Sequence, residues 1–259
     1  MLKWVQATWE TQDARTVLLA DAEWKEGYHP ARRAGRAYEI KPTNIGRGDQ
    51  FDPQFLKFSP NNRMPALVDT APPGGGTPIR IFESGAIMMY IAEREGRFLP
   101  KDLAKKYDVV QWVMWQMGNQ GPKFGEWGHF SRAAQNPANG DLAYAVTRFT
   151  DEVHRLYGVM NLGLHKKDWL AADEYSIADM ICYPWASGYK LRKIDIAEFP
   201  NVKRWIERME ARPAVKKAME AALPPAAVED PNAISDEEKA RRAKLLVNQR
   251  ATKVPVNWG

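Results

Sequence analysis

Glu83 and Ser84 stand directly ahead of a run, GAIMMYIAEREG, in which Ile87, Tyr90 and Ile91 recur at helical spacing and Gly96 is a stop signal. Taken alone, Ser84 is an N-cap, a hydroxyl that satisfies an unpaired amide of the first turn. The position also has a chemical use. A helix N-terminus presents N–H groups and positive potential to an anion, and a serine hydroxyl there is a further donor. Arg63, upstream, precedes Met64–Pro65; its cation can pair with a carboxylate or stay solvated. Ser176 and Asp179 form S-x-x-D before an apolar run, a capping box with Asp in place of Glu and with Tyr175 and Met180 as its apolar staple. That pattern serves folding and not reaction. Cys182 lies in the same run and is the only cysteine; core packing is the expected role.

These residues need elements to hold them. YEIK at 38–41 is a short strand candidate, followed by the polar TNIGRGDQ and by FDPQFLKFSP, a short helix or turn leading to a Pro-terminated loop. MPALVDT and IRIFES are two β-rich runs joined at hairpin spacing by APPGGGTP. From residue 101 to 222 long helical patterns take over, including KYDVVQWVMWQMG, with Trp112, Trp115 and Met117 placed as on a buried helix, and VKRWIERMEARPAVKKAMEAAL. A mixed α/β front therefore meets an all-helical back near residue 100. The expected organisation is 1–36 as an aberrant segment, 37–100 and 101–222 as the two domains, and 223–259 as a polar tail with an amphipathic helix at 235–249.

The totals bound the function class. With 259 residues, 44% hydrophobic and 27% charged, the chain is an ordinary globular protein with material for one large or two small domains. It has no apolar run long enough to cross a membrane and no signal-peptide pattern. One cysteine cannot close an intrachain disulfide, so a reducing cytoplasm is expected. The four His form no zinc-like cluster and CxxC is absent, so no metal is expected. Net charge is +5, concentrated near the two ends, as in KARRAK at 239–244. A solvated face explains it; no zinc-finger, RNP or P-loop pattern points to nucleic acid.

Three segments together, FLKFSPNNRMPALVD, IFESGAIMMYIAE and LAADEYSIADMICYPW, resemble cytosolic glutathione transferases, most closely the bacterial nu-class and nitrogen-regulator-like branch. The resemblance covers roughly residues 38–222. It implies an α/β thioredoxin-like N-terminal domain, an all-α C-terminal domain, a homodimer, and glutathione as co-substrate. Met64–Pro65 falls where the family has a cis peptide, which turns backbone groups outward to pair with the cysteinyl part of the bound peptide. Arg63 would meet the glycyl carboxylate, where many relatives have Lys. Ser84 and the helix it opens would hold the γ-glutamyl carboxylate, and Glu83 the γ-glutamyl ammonium. Gln50 matches a position that touches glutathione. Arg148 matches a helical arginine that approaches its carboxylate; a surface salt bridge is the alternative. Phe124, Trp127, His129 and Phe130, in KFGEWGHFSRA, match the acceptor-pocket lining; core or dimer packing is the alternative.

The family's chemistry is attack by a glutathione thiolate on an electrophilic carbon or a disulfide sulfur. The group that stabilises the thiolate comes from a first strand–loop–helix, which in nu-class relatives contains Thr-Pro-Asn-Gly and then a Leu-Leu-Glu-Glu run. Residues 21–36, DAEWKEGYHPARRAGR, contain neither, so no catalytic residue is assigned. Reading the codons of residues 13–35 one nucleotide later admits a start Met at Asp13–Ala14, a strand, the missing loop and a Leu-rich helix. The Trp24–Lys25 overlap must then encode Gly. We therefore expect residues 1 to about 36 to be out-of-frame translation joined by one insertion or deletion near Gly35–Ala37; the alternative is a divergent insertion. The expected activity is thiol transfer, disulfide reduction or conjugation on small electrophiles or disulfides. The competing class is a non-catalytic binding or regulatory module on the same fold.

Overall fold

The computed structural model describes residues 43, 48–69, 72–220, 235 and 237. The segment 1–36, the strand candidate at 38–41 and nearly all of the tail lie outside the described residues.

The first part is β-hairpin and helix. Asp52 accepts from the Gln54 amide and opens a single turn, α1 (Pro53–Leu56), whose Phe55 and Leu56 are buried. β1 (Ala66–Asp69) and β2 (Ile79–Phe82) pair antiparallel, Leu67 opposite Ile81 and Val68 opposite Arg80. The expected hairpin is present, and Gly74, Gly75 and Gly76 all take positive φ in its turn (84°, 77° and 100°), which glycine adopts without strain. Strand alternation then divides the two faces. Leu67 and Asp69 are buried, whereas Val68 and Phe82 remain 42% and 39% exposed on the opposite face. α2 (Ser84–Glu95) crosses the buried face. Tyr90 Oη donates to Asp69 Oδ2 at 2.5 Å and Arg94 pairs with the same carboxylate, which ties strand end to helix. Gly96 ends α2 in the left-handed conformation (φ 65°), its amide donating to Ala92 and Glu93.

The second part is helical. Asp102 caps α3 (Leu103–Trp115) by accepting from Lys105 N at 2.9 Å. α3 runs without interruption through a π-turn, Gln116–Gln120, into α4 (Gly121–Ala133). Then follow α5 (Ala143–Gly163), α6 (Ile177–Ala186), α7 (Pro200–Ala211) and α8 (Pro213–Glu220). Two boundaries differ from the sequence expectation. The run through QMG is not plain α-helix: one turn widens, which rotates everything after it relative to α3. The final helical pattern is also cut in two. Pro213 disfavours the helical conformation for the residue before it, and Arg212 accordingly sits at φ −72°, ψ 127°.

α6 is the axis of this part. Every one of its residues from Ile177 to Ala186 is buried, the mark of a helix enclosed on all sides. It packs on α2, α3 and α7. The capping box is formed as expected: Asp179 Oδ2 accepts from Ser176 N at 3.0 Å, and Ser176 Oγ accepts from Ala178 N at 3.2 Å. Asp179 Oδ1 reaches further, accepting from Leu170 N at 3.0 Å and Trp205 Nε1 at 2.8 Å. One carboxylate thus joins α6, the preceding loop and α7. Cys182 is fully buried, as expected, and burial pushes its thiol well above its ordinary range, with the nearby Asp179 charge adding to the rise. Trp112, Trp115 and Met117 are half-buried against the core, while Val109 and Val113 are enclosed completely.

Candidate functional site

Where the loop after α1 meets the end of β2, a small open cleft is lined by Ser59, Asn61, Arg63, Met64, Pro65, Phe82, Glu83 and Ser84. Ser59 shapes its floor. Fully buried, it donates its hydroxyl to the Arg63 carbonyl at 2.7 Å, drawing the loop back on itself. The Met64–Pro65 bond that follows is cis, as the sequence led us to expect, and both residues are buried. Arg63 itself is exposed and makes no ion pair among the described residues.

Glu83 closes the opposite wall. Its backbone takes φ 71°, ψ 120°, a conformation that β-carbon residues adopt at a cost of order 1–3 kcal/mol. The turn aims the exposed Glu83 carboxylate toward Asn61, whose Nδ2 donates to Oε1 at 3.2 Å. Glu83, and not Ser84, occupies the N-cap position, and no side chain caps α2. The first-turn amides of α2 therefore carry no side-chain cap, and the positive end of the helix stands at the residues that line the cleft. Ser84 is the first helical residue and only 2% exposed; its hydroxyl donates to Met117 Sδ at 3.3 Å. Cation, carboxylate, hydroxyl and helix N-terminus thus share one small cleft. The cleft is thus positive at the start of α2 and at Arg63, and negative at Glu83.

Five of the residues singled out in the sequence, Arg63, Met64, Pro65, Glu83 and Ser84, come together here. The others lie elsewhere. Gln50 is on a short turn, Asp49–Phe51, only 4% exposed, and its Oε1 has no partner among the described residues. Arg148 is on α5, 58% exposed, 3.9 Å from Glu152, so the surface salt-bridge alternative describes its position. Arg155 makes the tighter pair with Glu152, two bonds of 2.8 Å, and holds that carboxyl below its usual range. Phe124 is core: it stacks on Tyr157 at 5.4 Å, meets Trp185 edge-on, and carries the Arg192 guanidinium 4.6 Å from its ring centre. Trp127 Nε1 donates to Thr150 Oγ1 at 3.2 Å, and Phe130 stacks on Phe149, so this stretch of α4 packs largely on α5. His129 meets Phe130 edge-on and is exposed.

The sequence reading missed Ser59, Asn61, Phe82 and Met117. Ser59 and Asn61 lie within a segment already singled out, but nothing in their types marks them. Met117 reaches Ser84 only through tertiary packing. Among the described residues no group of three or more His, Cys, Asp or Glu is placed to hold a metal, and no helix is long and apolar enough to cross a membrane.

Comparison with known proteins bears on this cleft. Residues 31–93 match the family model "Glutathione S-transferase, N-terminal domain" and residues 141–213 the model "Glutathione S-transferase, C-terminal domain". The chain is 42% identical over 182 residues to the disulfide-bond oxidoreductase YfcG of Escherichia coli, covering 70% of this chain and 83% of that protein. It is 41% identical to the disulfide-bond oxidoreductase YghU of the same organism, but spans 64% of that relative's length. Among solved structures, a glutathione transferase from Burkholderia graminis, with two glutathione molecules bound per subunit, superposes with a TM-score of 0.70 at 34% identity over 83% of this chain and 86% of that one. The small sheet with its helix, the helical bundle behind it and the two matched models agree: the chain belongs to the glutathione S-transferase family.

Proposed function

We propose that the protein is a glutathione-dependent thiol transferase whose glutathione site is the cleft at the start of α2. The observation that carries this is the convergence of Arg63, cis-Met64–Pro65, Glu83 and Ser84 on one opening. Glutathione carries two carboxylates, one ammonium and a thiol, and the cleft offers a complement to each charged group. The α2 N-terminus with Ser84 takes the γ-glutamyl carboxylate, Glu83 the ammonium, and Arg63 the glycyl carboxylate. Backbone groups at Met64 pair with the cysteinyl unit, which places its sulfur at the mouth.

Once ionised, that sulfur attacks a disulfide of the second substrate. A glutathionyl mixed disulfide forms and the substrate's other sulfur leaves as a thiolate; a second glutathione thiolate then attacks the glutathionyl sulfur, forming glutathione disulfide and releasing the remaining substrate sulfur as a thiolate. Disulfide reduction is favoured over conjugation because the relatives YfcG and YghU bear the name disulfide-bond oxidoreductase. Within this reading 37–100 is the glutathione-binding domain, 101–222 the helical domain, and two chains form the working dimer. Gln50 and Arg148 are proposed as outer contacts of the ligand. Phe124, Trp127, His129 and Phe130 are proposed as the region facing the second substrate, with Phe124 acting through packing.

Retention on immobilised glutathione and a disulfide-reduction assay test the reading. Ser84→Ala and Arg63→Ala should each weaken glutathione binding about tenfold, the usual cost of a lost hydrogen bond to a charged group. If both variants bind as the parent does, the cleft is not the site. Binding without any thiol transfer would favour the regulatory-module reading.

A further inference from the structure

The Ser84 hydroxyl already has a partner within the protein. Met117 Sδ lies 3.3 Å from Ser84 Oγ, and a thioether carries no proton, so the serine must be the donor. Ser84 is 2% exposed, so solvent does not compete for that hydrogen. Met117 is held in place from several sides. It sits in the π-turn Gln116–Gln120, between α3 and α4, where the widened turn changes the direction of every later side chain. It also lies against Gly85: a β-carbon there would fall 2.9 Å from Met117 Cγ and 3.1 Å from Val113 Cγ1. Only a residue without a side chain lets α2 and Met117 approach this closely.

We propose that Met117 is a positioning residue for the glutathione site: a weak acceptor from the helical bundle that holds the Ser84 hydroxyl when the cleft is empty and yields it to the ligand carboxylate. This rests on the reading of the cleft given above. A thioether is among the poorest acceptors a protein offers, so the hydroxyl is satisfied without being locked. On binding, Ser84 exchanges O–H···S for a charge-assisted O–H···O⁻, which is the stronger bond. The exchange couples the bundle to the affinity of the hairpin–helix part.

A double-mutant cycle on the full chain tests it, with glutathione binding followed by calorimetry. Met117→Leu conserves volume and removes the acceptor. The empty state then holds an unsatisfied buried hydroxyl, so glutathione should bind about threefold more tightly, the fold-change of a weak neutral hydrogen bond. In a Ser84→Ala background Met117→Leu should change nothing. An equal effect in both backgrounds, or weaker binding in both, shows a packing role only and overturns the proposal. The methyl-¹³C signal of Met117 separates this from the broader reading. Without ligand, Ser84→Ala should shift it; in the parent, glutathione should shift it as the hydroxyl departs. If glutathione binds but leaves the signal unmoved, this inference fails while the proposed function stands. If Ser84→Ala shifts the signal but none of the four proteins binds glutathione, the proposed function fails and this role falls with it.

Discussion

Asp179 shows how much one side chain can be asked to do. It is fully buried and accepts from Leu170 N, Trp205 Nε1, Ser176 N and Ser176 Oγ. Burial raises its carboxyl from 3.8 to about 6, with those hydrogen bonds opposing the rise. An acid whose pKa is raised on folding holds its proton more tightly in the folded state. Its contribution to stability is therefore fully present below about 3.8 and is lost as pH climbs through about 6, in all about 3 kcal/mol at 1.36 kcal/mol per unit. Urea unfolding of the protein and of Asp179→Asn across pH 3.5 to 7 checks this. The parent should lose about 3 kcal/mol relative to the variant over that range, and parallel curves would refute it. The capping box itself was legible in S-x-x-D, because it depends on residues close in sequence. The bonds to Leu170 and Trp205 were not, because Trp205 arrives from α7 only when the bundle closes.

At the scale of elements, the turn from α3 to α4 separates pattern from packing. Gln116 is fully buried in it, and neither its Nε2 nor its Oε1 has a hydrogen-bond partner among the described residues. A buried amide in that state costs about 1–3 kcal/mol, so Gln116→Leu should raise the melting temperature rather than lower it. The end of α5 behaves oppositely. A β-carbon on Gly163 would lie 2.3 Å from Trp112 Cζ2, too close for any real contact, so the indole must shift to admit it. Gly163→Ala should therefore cost about 1–3 kcal/mol despite alanine's better helix propensity. Adding Trp112→Phe should recover part of the loss in thermal unfolding; no recovery would place the cost elsewhere. Helical periodicity announced α3, α5 and α7 plainly. It could not announce the widened turn at QMGNQ, since one extra residue per turn leaves no signature in residue type.

For the molecule as a whole, the sequence sets an aberrant segment, 1–36, where the family has its first strand–loop–helix. The hairpin leaves Val68 and Phe82 exposed on the face away from α2, and β1 pairs only with β2 among the described residues. A parallel assay of this chain and of a version with the reading frame restored through codon 37 tests the expectation that residues 1–36 replace a lost strand–loop–helix. The restored protein should gain disulfide reduction by about a hundredfold or more, the lower end of what a positioned proton-transfer group contributes. Equal rates would show that the segment does not matter to the chemistry, and an intact frame on resequencing would remove the idea.

Residue order alone pointed to the family of fold, the hairpin, the stop of α2 at Gly96, and Arg63, Met64, Pro65, Glu83 and Ser84 as neighbours in one cleft. All of these depend on neighbours within a few positions: a Gly-rich turn, a proline, a helix terminus. Tertiary structure alone placed Arg148 3.9 Å from Glu152, Phe124 in the core, and Met117 Sδ against the Ser84 hydroxyl. Each is a contact across more than twenty residues of chain, or a choice between two faces of one helix. Local pattern leaves such choices degenerate, and only close packing of the bundle lifts the degeneracy.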